Sequence, residues 1–181
     1  CLGVAPGSAL MVVSDRAWEA MRTHPNPLRE GYLSLLDWKE MWMEQRRFPF
    51  TVFVGQINGV NEALTMALEE GLQNRFERHS QAARMCRAGV RALGLELWPA
   101  REEIMSTCVT AFLAPKGITP QQILDRMRAT YGIAVVGSLK ELADKLVRIG
   151  HMGHMAQPIF VETALAALER TLYDLGYPVQ L

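Results

Sequence analysis

The stretch Lys145-Leu146-Val147-Arg148-Ile149-Gly150-His151-Met152-Gly153 reads as one strand running into a glycine-rich mouth. Leu146, Val147 and Ile149 form a short apolar run, long enough for a single buried strand. Arg148 interrupts it. A guanidinium cannot lose its proton, so a partly buried one needs a fixed anionic partner. Gly150 and Gly153 allow close backbone approach or positive φ just beyond it. A strand delivering one arginine to such a mouth suits two-pronged capture of a carboxylate. The plainer alternative is an edge-strand arginine that faces water.

Working outward, composition bounds the rest. The chain has 181 residues, one good-sized domain or one and a half small ones, and its 49% apolar content supports a real core. Lys and Arg number 19 against 19 Asp and Glu, so nothing points to a nucleic-acid or anionic-membrane partner. No apolar run approaches a transmembrane span, and the N-terminus lacks the pattern of a signal peptide. Cys1, Cys86 and Cys108 are odd in number and far apart, which argues for reduced thiols in a cytoplasmic protein and against a disulfide framework or zinc site. The chain opens on Cys1 and soon enters the apolar run Ala9 to Val13, so it reads as the C-terminal part of a longer protein.

Periodicity then sets out the elements. Ala9 to Val13 is expected to be a buried strand, followed by a helix capped by Ser14 with Trp18 and Met21 facing inward. Pro25 and Pro27 end that helix, and Leu33 to Arg47 is a bulky, partly helical segment. From Phe53 to Leu93 the pattern is helical, with Ile57, Val60, Asn61, Leu64 and Leu68 on one face. Gly71 breaks it, a second helix carries Phe76, Ala83, Val90 and Leu93, and Gly94 stops the run. Short strands are expected at Leu95 to Trp98, Thr107 to Leu113, Ile133 to Val136 and Leu146 to Ile149, with a turn at Gly137-Ser138. Thr119 and Pro120 start a helix directed inward by Ile123, Leu124 and Met127 and ended by Gly132. Pro158 to Leu175 is a last amphipathic helix. A small α+β layer follows from this order.

Three stretches together resemble the class V aminotransferases of the serine–pyruvate/alanine–glyoxylate type. They are Cys1-Leu2-Gly3-x-x-Pro6-Gly7 with Ser14-Asp15-Arg16-Ala17-Trp18, then Phe48-Pro49-Phe50-Thr51, then Arg148 to Gly153 followed by Ala156-Gln157-Pro158-Ile159. The combination is most similar to the branch that includes pyridoxamine–pyruvate aminotransferase, although Leu139, nine residues before Arg148, stands where that branch carries a second arginine. The resemblance implies an α/β, fold-type I transferase dependent on pyridoxal 5'-phosphate. Residues 1–71 would be the end of its cofactor-binding large domain with a dimer-interface segment, and 72–181 a small C-terminal α+β domain.

By the same resemblance Arg148 holds the substrate carboxylate, and Thr51 reaches the cofactor phosphate of the neighbouring subunit. The Schiff-base lysine is expected just before Cys1, so no catalytic residue lies in this chain. Phe48 replaces a frequent tyrosine and Val52 a usual proline. Read without the resemblance, Thr51 is a threonine capping a helix, which is compatible with a phosphate contact because a helix N-terminus favours anions. His151 and His154, three apart in a glycine loop with no cysteine or carboxylate cluster beside them, are not expected to bind metal.

The implied function is transfer of an amino group between a small amino acid of the alanine or serine type and a small 2-oxo acid, glyoxylate or pyruvate. Pyridoxamine–pyruvate transamination is the alternative enzyme. A homodimer is expected, with Leu33 to Phe53 at its interface, and no nucleic-acid or membrane partner. The non-enzymatic alternative is a free-standing α+β interaction domain.

Overall fold

The structure, a computed structural model, describes residues 2–179. The chain divides into two compact units, one formed by Val4–Glu62 and the other by Cys1–Gly3 together with Ala63–Leu181.

In the smaller unit, helix α1 spans Asp15–Thr23, and Ser14 caps it by accepting the Ala17 N–H at 3.3 Å. One helical turn, α2 (Leu35–Asp37), runs directly into a π-helical segment, Trp38–Glu44. Its entry is fixed by polar contacts. Buried Ser34 donates to Leu28 O at 2.9 Å and accepts the Asp37 N–H at 3.2 Å. Arg29 reaches Asp37 at 3.0 Å and Glu40 at 2.6 and 2.9 Å. The hydrogen bond from Arg29 holds the Glu40 carboxyl below its ordinary range.

Ala9 to Val13 does not form the expected strand; Leu10, Met11 and Val12 are exposed in irregular backbone. Apolar composition does not supply the ladder partner that a strand's N–H and C=O groups need, and no strand among the described residues pairs with this run.

The long helix α3 (Val54–Glu70) is followed after Gly71 by α4 (Leu72–Ala92). Gly71 sits at φ +82°, which a side chain would strain. The helical periodicity of α3 is as expected, but Ile57, Leu64 and Leu68 are exposed, whereas Gln56 and Ala67 are buried. Phe76 of α4 and Ile159 near the end of the chain are likewise exposed. No helix among the described residues is long and apolar enough to cross a membrane.

The larger unit is built on an antiparallel sheet of β1 (Val109–Leu113), β2 (Val136–Gly137) and β3 (Leu146–Gly150), in the order β1-β3-β2. Val109 pairs with Gly150, Thr110 with Ile149 and Phe112 with Val147. Side chains alternate across a sheet, so Thr110, Phe112, Val147 and Ile149 share one face and are all buried. That face meets α4, α5 (Pro120–Tyr131) and α6 (Pro158–Asp174), whose Cys86, Val90, Ile123, Met127, Leu168 and Leu172 complete the core. Gly89 allows α6 its approach to α4, since a Cβ there would lie 2.3 Å from Leu165 Cδ1. Helix α5 starts as its sequence requires: Thr119 and Gln122 form a reciprocal capping box ahead of Pro120, and Gly132 closes the helix at φ +66°.

Two strand expectations are corrected. Ile133 to Val136 contributes only Val136, with Gly137 in the strand and not in a turn. Ile133 instead returns its N–H to Met127 O at 3.3 Å to close α5, and its side chain packs on the core beside Val135. Leu95 to Trp98 makes a single bridge, Leu97 to Phe112, beside β1.

Candidate functional site

Arg148 stands at the middle of β3, with Ala111 of β1 across from it on one side and Val136 of β2 on the other. The edge-strand alternative is thereby corrected: β3 is the central strand and Arg148 is half-buried on it. Because Val147 and Ile149 face the helices, Arg148 lies on the opposite face of the sheet, where Gly150 and Val136 are exposed. Its Nε donates to Gly137 O at 2.8 Å. That bond fixes the plane of the guanidinium. The two terminal nitrogens make no hydrogen bond to the described residues, and no carboxylate among them pairs with Arg148. A half-buried cation so anchored, with two parallel donors left over, matches the geometry of a carboxylate.

The residues after β3 turn the other way. His151 is 1% exposed. Its backbone N–H donates to Cys108 O at 2.9 Å and its Nε2 meets Thr110 Oγ1 at 2.8 Å. Burial pushes its pKa down, and Nδ1 has no hydrogen-bond partner among the described residues. His154 is exposed, its ring edge-on to Phe160 at 5.4 Å. No group of three metal-ligating side chains gathers among the described residues.

Thr51 belongs to the smaller unit. It is exposed three residues ahead of α3, and its hydroxyl makes no capping hydrogen bond to the described residues. What holds it is its own carbonyl, which accepts the Tyr32 hydroxyl at 2.7 Å. The Tyr32 ring stacks on Phe50 at 5.0 Å, Trp38 tilts against Phe50 at 6.1 Å, and Trp42 stacks on Phe48 at 4.2 Å. The Phe48-Pro49-Phe50-Thr51 element is thus carried by an aromatic cluster, each pair contributing about 0.5–1.5 kcal/mol beyond area burial. Phe48 has no hydroxyl to offer a ligand and serves in this stack.

Comparison with known proteins decides the family. The chain is 42% identical over 176 residues to a pyridoxamine–pyruvate transaminase of Mesorhizobium japonicum, matching 97% of this chain and 45% of that protein. It is 35% identical to an L-aspartate–glyoxylate aminotransferase of Paracoccus denitrificans, over 97% of this chain and 43% of the relative. Over nearly its whole length the chain is homologous to the C-terminal part of class V aminotransferases. Its fold superposes on the crystal structure of pyridoxamine–pyruvate aminotransferase from Mesorhizobium loti with a TM-score of 0.93, at 40% identity, over 99% of this chain and 46% of that one. It is the fold of the C-terminal portion of a fold-type I transferase. No protein-family model matches the chain. The chain spans about half the length of the curated relatives it matches.

Sequence reasoning missed Tyr32 and the Gly137 carbonyl. A tyrosine 19 residues from the threonine it supports carries no local signal, and a backbone acceptor has no side-chain signature at all.

Proposed function

We infer that the complete protein is an aminotransferase dependent on pyridoxal 5'-phosphate, moving an amino group between a small amino acid and a small 2-oxo acid. The observation that carries this is Arg148: a half-buried guanidinium anchored through Nε to Gly137 O, with both terminal nitrogens making no hydrogen bond to the described residues. In this role it grips the substrate carboxylate and so orients the bond at Cα that must break. The cofactor supplies the electron sink when bound. Thr51 fits its phosphate: the hydroxyl is exposed, has no partner among the described residues, and lies just ahead of the N-terminus of the 17-residue helix α3, where an anion is favoured. The lysine that carries the cofactor is proposed to lie directly before Cys1, with residues 1–71 ending the large domain and 72–181 forming the small one. The setting is proposed to be cytoplasmic, in keeping with free Cys86 and Cys108.

The experiment is an assay of the complete protein with alanine, serine, aspartate and pyridoxamine as donors against pyruvate and glyoxylate. Transfer from at least one donor is expected, and no transfer from any would overturn the reading. Pyridoxamine–pyruvate transamination stays a second reading because a relative of that name matches at 42% identity. Against it stands Leu139, an exposed leucine in the slot where that branch carries a second arginine.

Two results bear on the parts. Thr51→Val is expected to weaken cofactor retention about tenfold, the loss of one charge-assisted hydrogen bond of roughly 1.5 kcal/mol. KM for the amino acid should move far less, and an unchanged cofactor dissociation constant would remove Thr51 from the site. A homodimer is proposed through Leu33 to Phe53, where Leu33 is 82% and Phe53 75% exposed, more apolar surface than a lone subunit leaves wet. Sedimentation should give a dimer; a stable, active monomer would contradict it.

A further inference from the structure

Adjacent residues of α4 grip one glycine from both sides. Gly153 donates its N–H to His79 Nε2 at 3.0 Å and accepts Arg78 Nη1 on its carbonyl at 2.8 Å. The same Arg78 nitrogen reaches Ala156 O at 2.9 Å. The rest of the guanidinium is occupied by Glu70, which accepts from Nε at 2.6 Å and from Nη2 at 2.9 Å. His79 is itself fixed: it is buried, and its Nδ1 meets Arg75 O at 2.7 Å. A ring nitrogen that accepts from a backbone N–H must be unprotonated, so Nδ1 carries the proton and His79 is held as one neutral tautomer. Gly153 at φ +61° can follow this path because it has no Cβ.

These contacts span 74 to 78 residues of sequence and converge on the short turn that leaves β3. The turn matters to the open face of the sheet. Gly150 lies two residues from Arg148 on that face, and a Cβ on Gly150 would meet the Met152 methyl at 3.7 Å. Met152 precedes Gly153 directly, so whatever fixes Gly153 also holds the Met152 backbone next to the end of β3.

We propose that Arg78 and His79 are positioning residues for the carboxylate site, holding the Gly150–Ala156 turn so that Met152 and the end of β3 form a rigid wall next to Arg148. This rests on the reading of Arg148 given above. Neither residue touches substrate. Their effect reaches it through the turn, and a displacement of about 1 Å in a binding geometry can cost up to a hundredfold.

The test is a double-mutant cycle in the complete protein, read both as KM for the amino acid and as calorimetric binding of pyruvate. Arg78→Met and His79→Leu are each made alone and on top of Arg148→Ala. Each single variant should weaken pyruvate binding and raise KM by about tenfold or more, with kcat changed much less. Each should add nothing once Arg148 is gone. Arg78→Lys and His79→Gln, which keep a donor or an acceptor at the turn, should recover part of the loss, and they carry the test if a harsher variant fails to fold. Equal losses with and without Arg148 would mean a purely structural role and overturn the proposal, as would no loss in any variant. If Arg148→Ala itself binds pyruvate like the unmodified protein, the reading of Arg148 fails and this inference with it. A normal response to Arg148→Ala with inert Arg78 and His79 variants sinks this inference alone.

Discussion

Arg148→Ala should lower kcat/KM for the amino acid by about a hundredfold or more, on the order of 3 kcal/mol of lost transition-state stabilisation. Nε is committed to Gly137 O, which leaves the terminal nitrogens as a fixed fork. A carboxylate gripped there gains two charge-assisted bonds and one orientation. Lysine retains the charge, but one ammonium cannot hold Gly137 O and also present two coplanar donors, so Arg148→Lys should already be impaired. The absorbance of the bound cofactor should survive in both variants, because this side chain meets substrate and not cofactor. Arg148→Ala should also lose the preference for an amino acid over the amine that lacks its carboxylate. An arginine that only decorates a surface behaves otherwise, with a stability change within about 0.5 kcal/mol and normal turnover. Steady-state kinetics on the complete protein separates the outcomes, and near-normal kcat/KM would contradict the assignment.

Phe112→Ala should cost about 3–5 kcal/mol of stability, the range for emptying a fully buried aromatic site. Phe112 is 0% exposed, lies at the heart of β1, and pairs with Val147 on β3. Its ring meets the layer where α4, α5 and α6 converge, so neighbours held by three helices cannot all relax into the space. Domains carry only about 5–15 kcal/mol in total, so this one change should remove a large part of it. Urea unfolding should show a lower midpoint with an unchanged slope. Val136→Ala, on the exposed face of β2, should stay within roughly 0.5 kcal/mol. A loss under about 1 kcal/mol for Phe112→Ala would mean that the packing around β1 is wrong.

Much of the larger unit was legible in its sequence because its signals are local. The Thr119-Pro120 start and Gly132 stop of α5 are written in side chains that act on their own backbone. The apolar run around Arg148 gave β3 nearly to the residue. What could not be read depended on partners far along the chain. Ala9 to Val13 is as apolar as β3 but finds no ladder among the described residues. Ile133 and Val135 pack on the core like strand residues, yet the Ile133 backbone closes a helix and neither residue joins the sheet. That β3 is central and not an edge depends on β1, 37 positions earlier, and on the two-residue β2. For the site, the sequence yielded Arg148 and Thr51 through resemblance. It could not yield the supports of either, because Tyr32, Gly137 O, Arg78 and His79 act at long range.

The complete protein is expected to carry its cofactor on a lysine directly before Cys1. Borohydride reduction of the cofactor-loaded protein, followed by proteolysis and mass spectrometry, reads that position directly. The expected result is a single pyridoxyl-labelled lysine immediately ahead of Cys1-Leu2-Gly3. No label, or a label on Lys39, Lys116, Lys140 or Lys145, would contradict it.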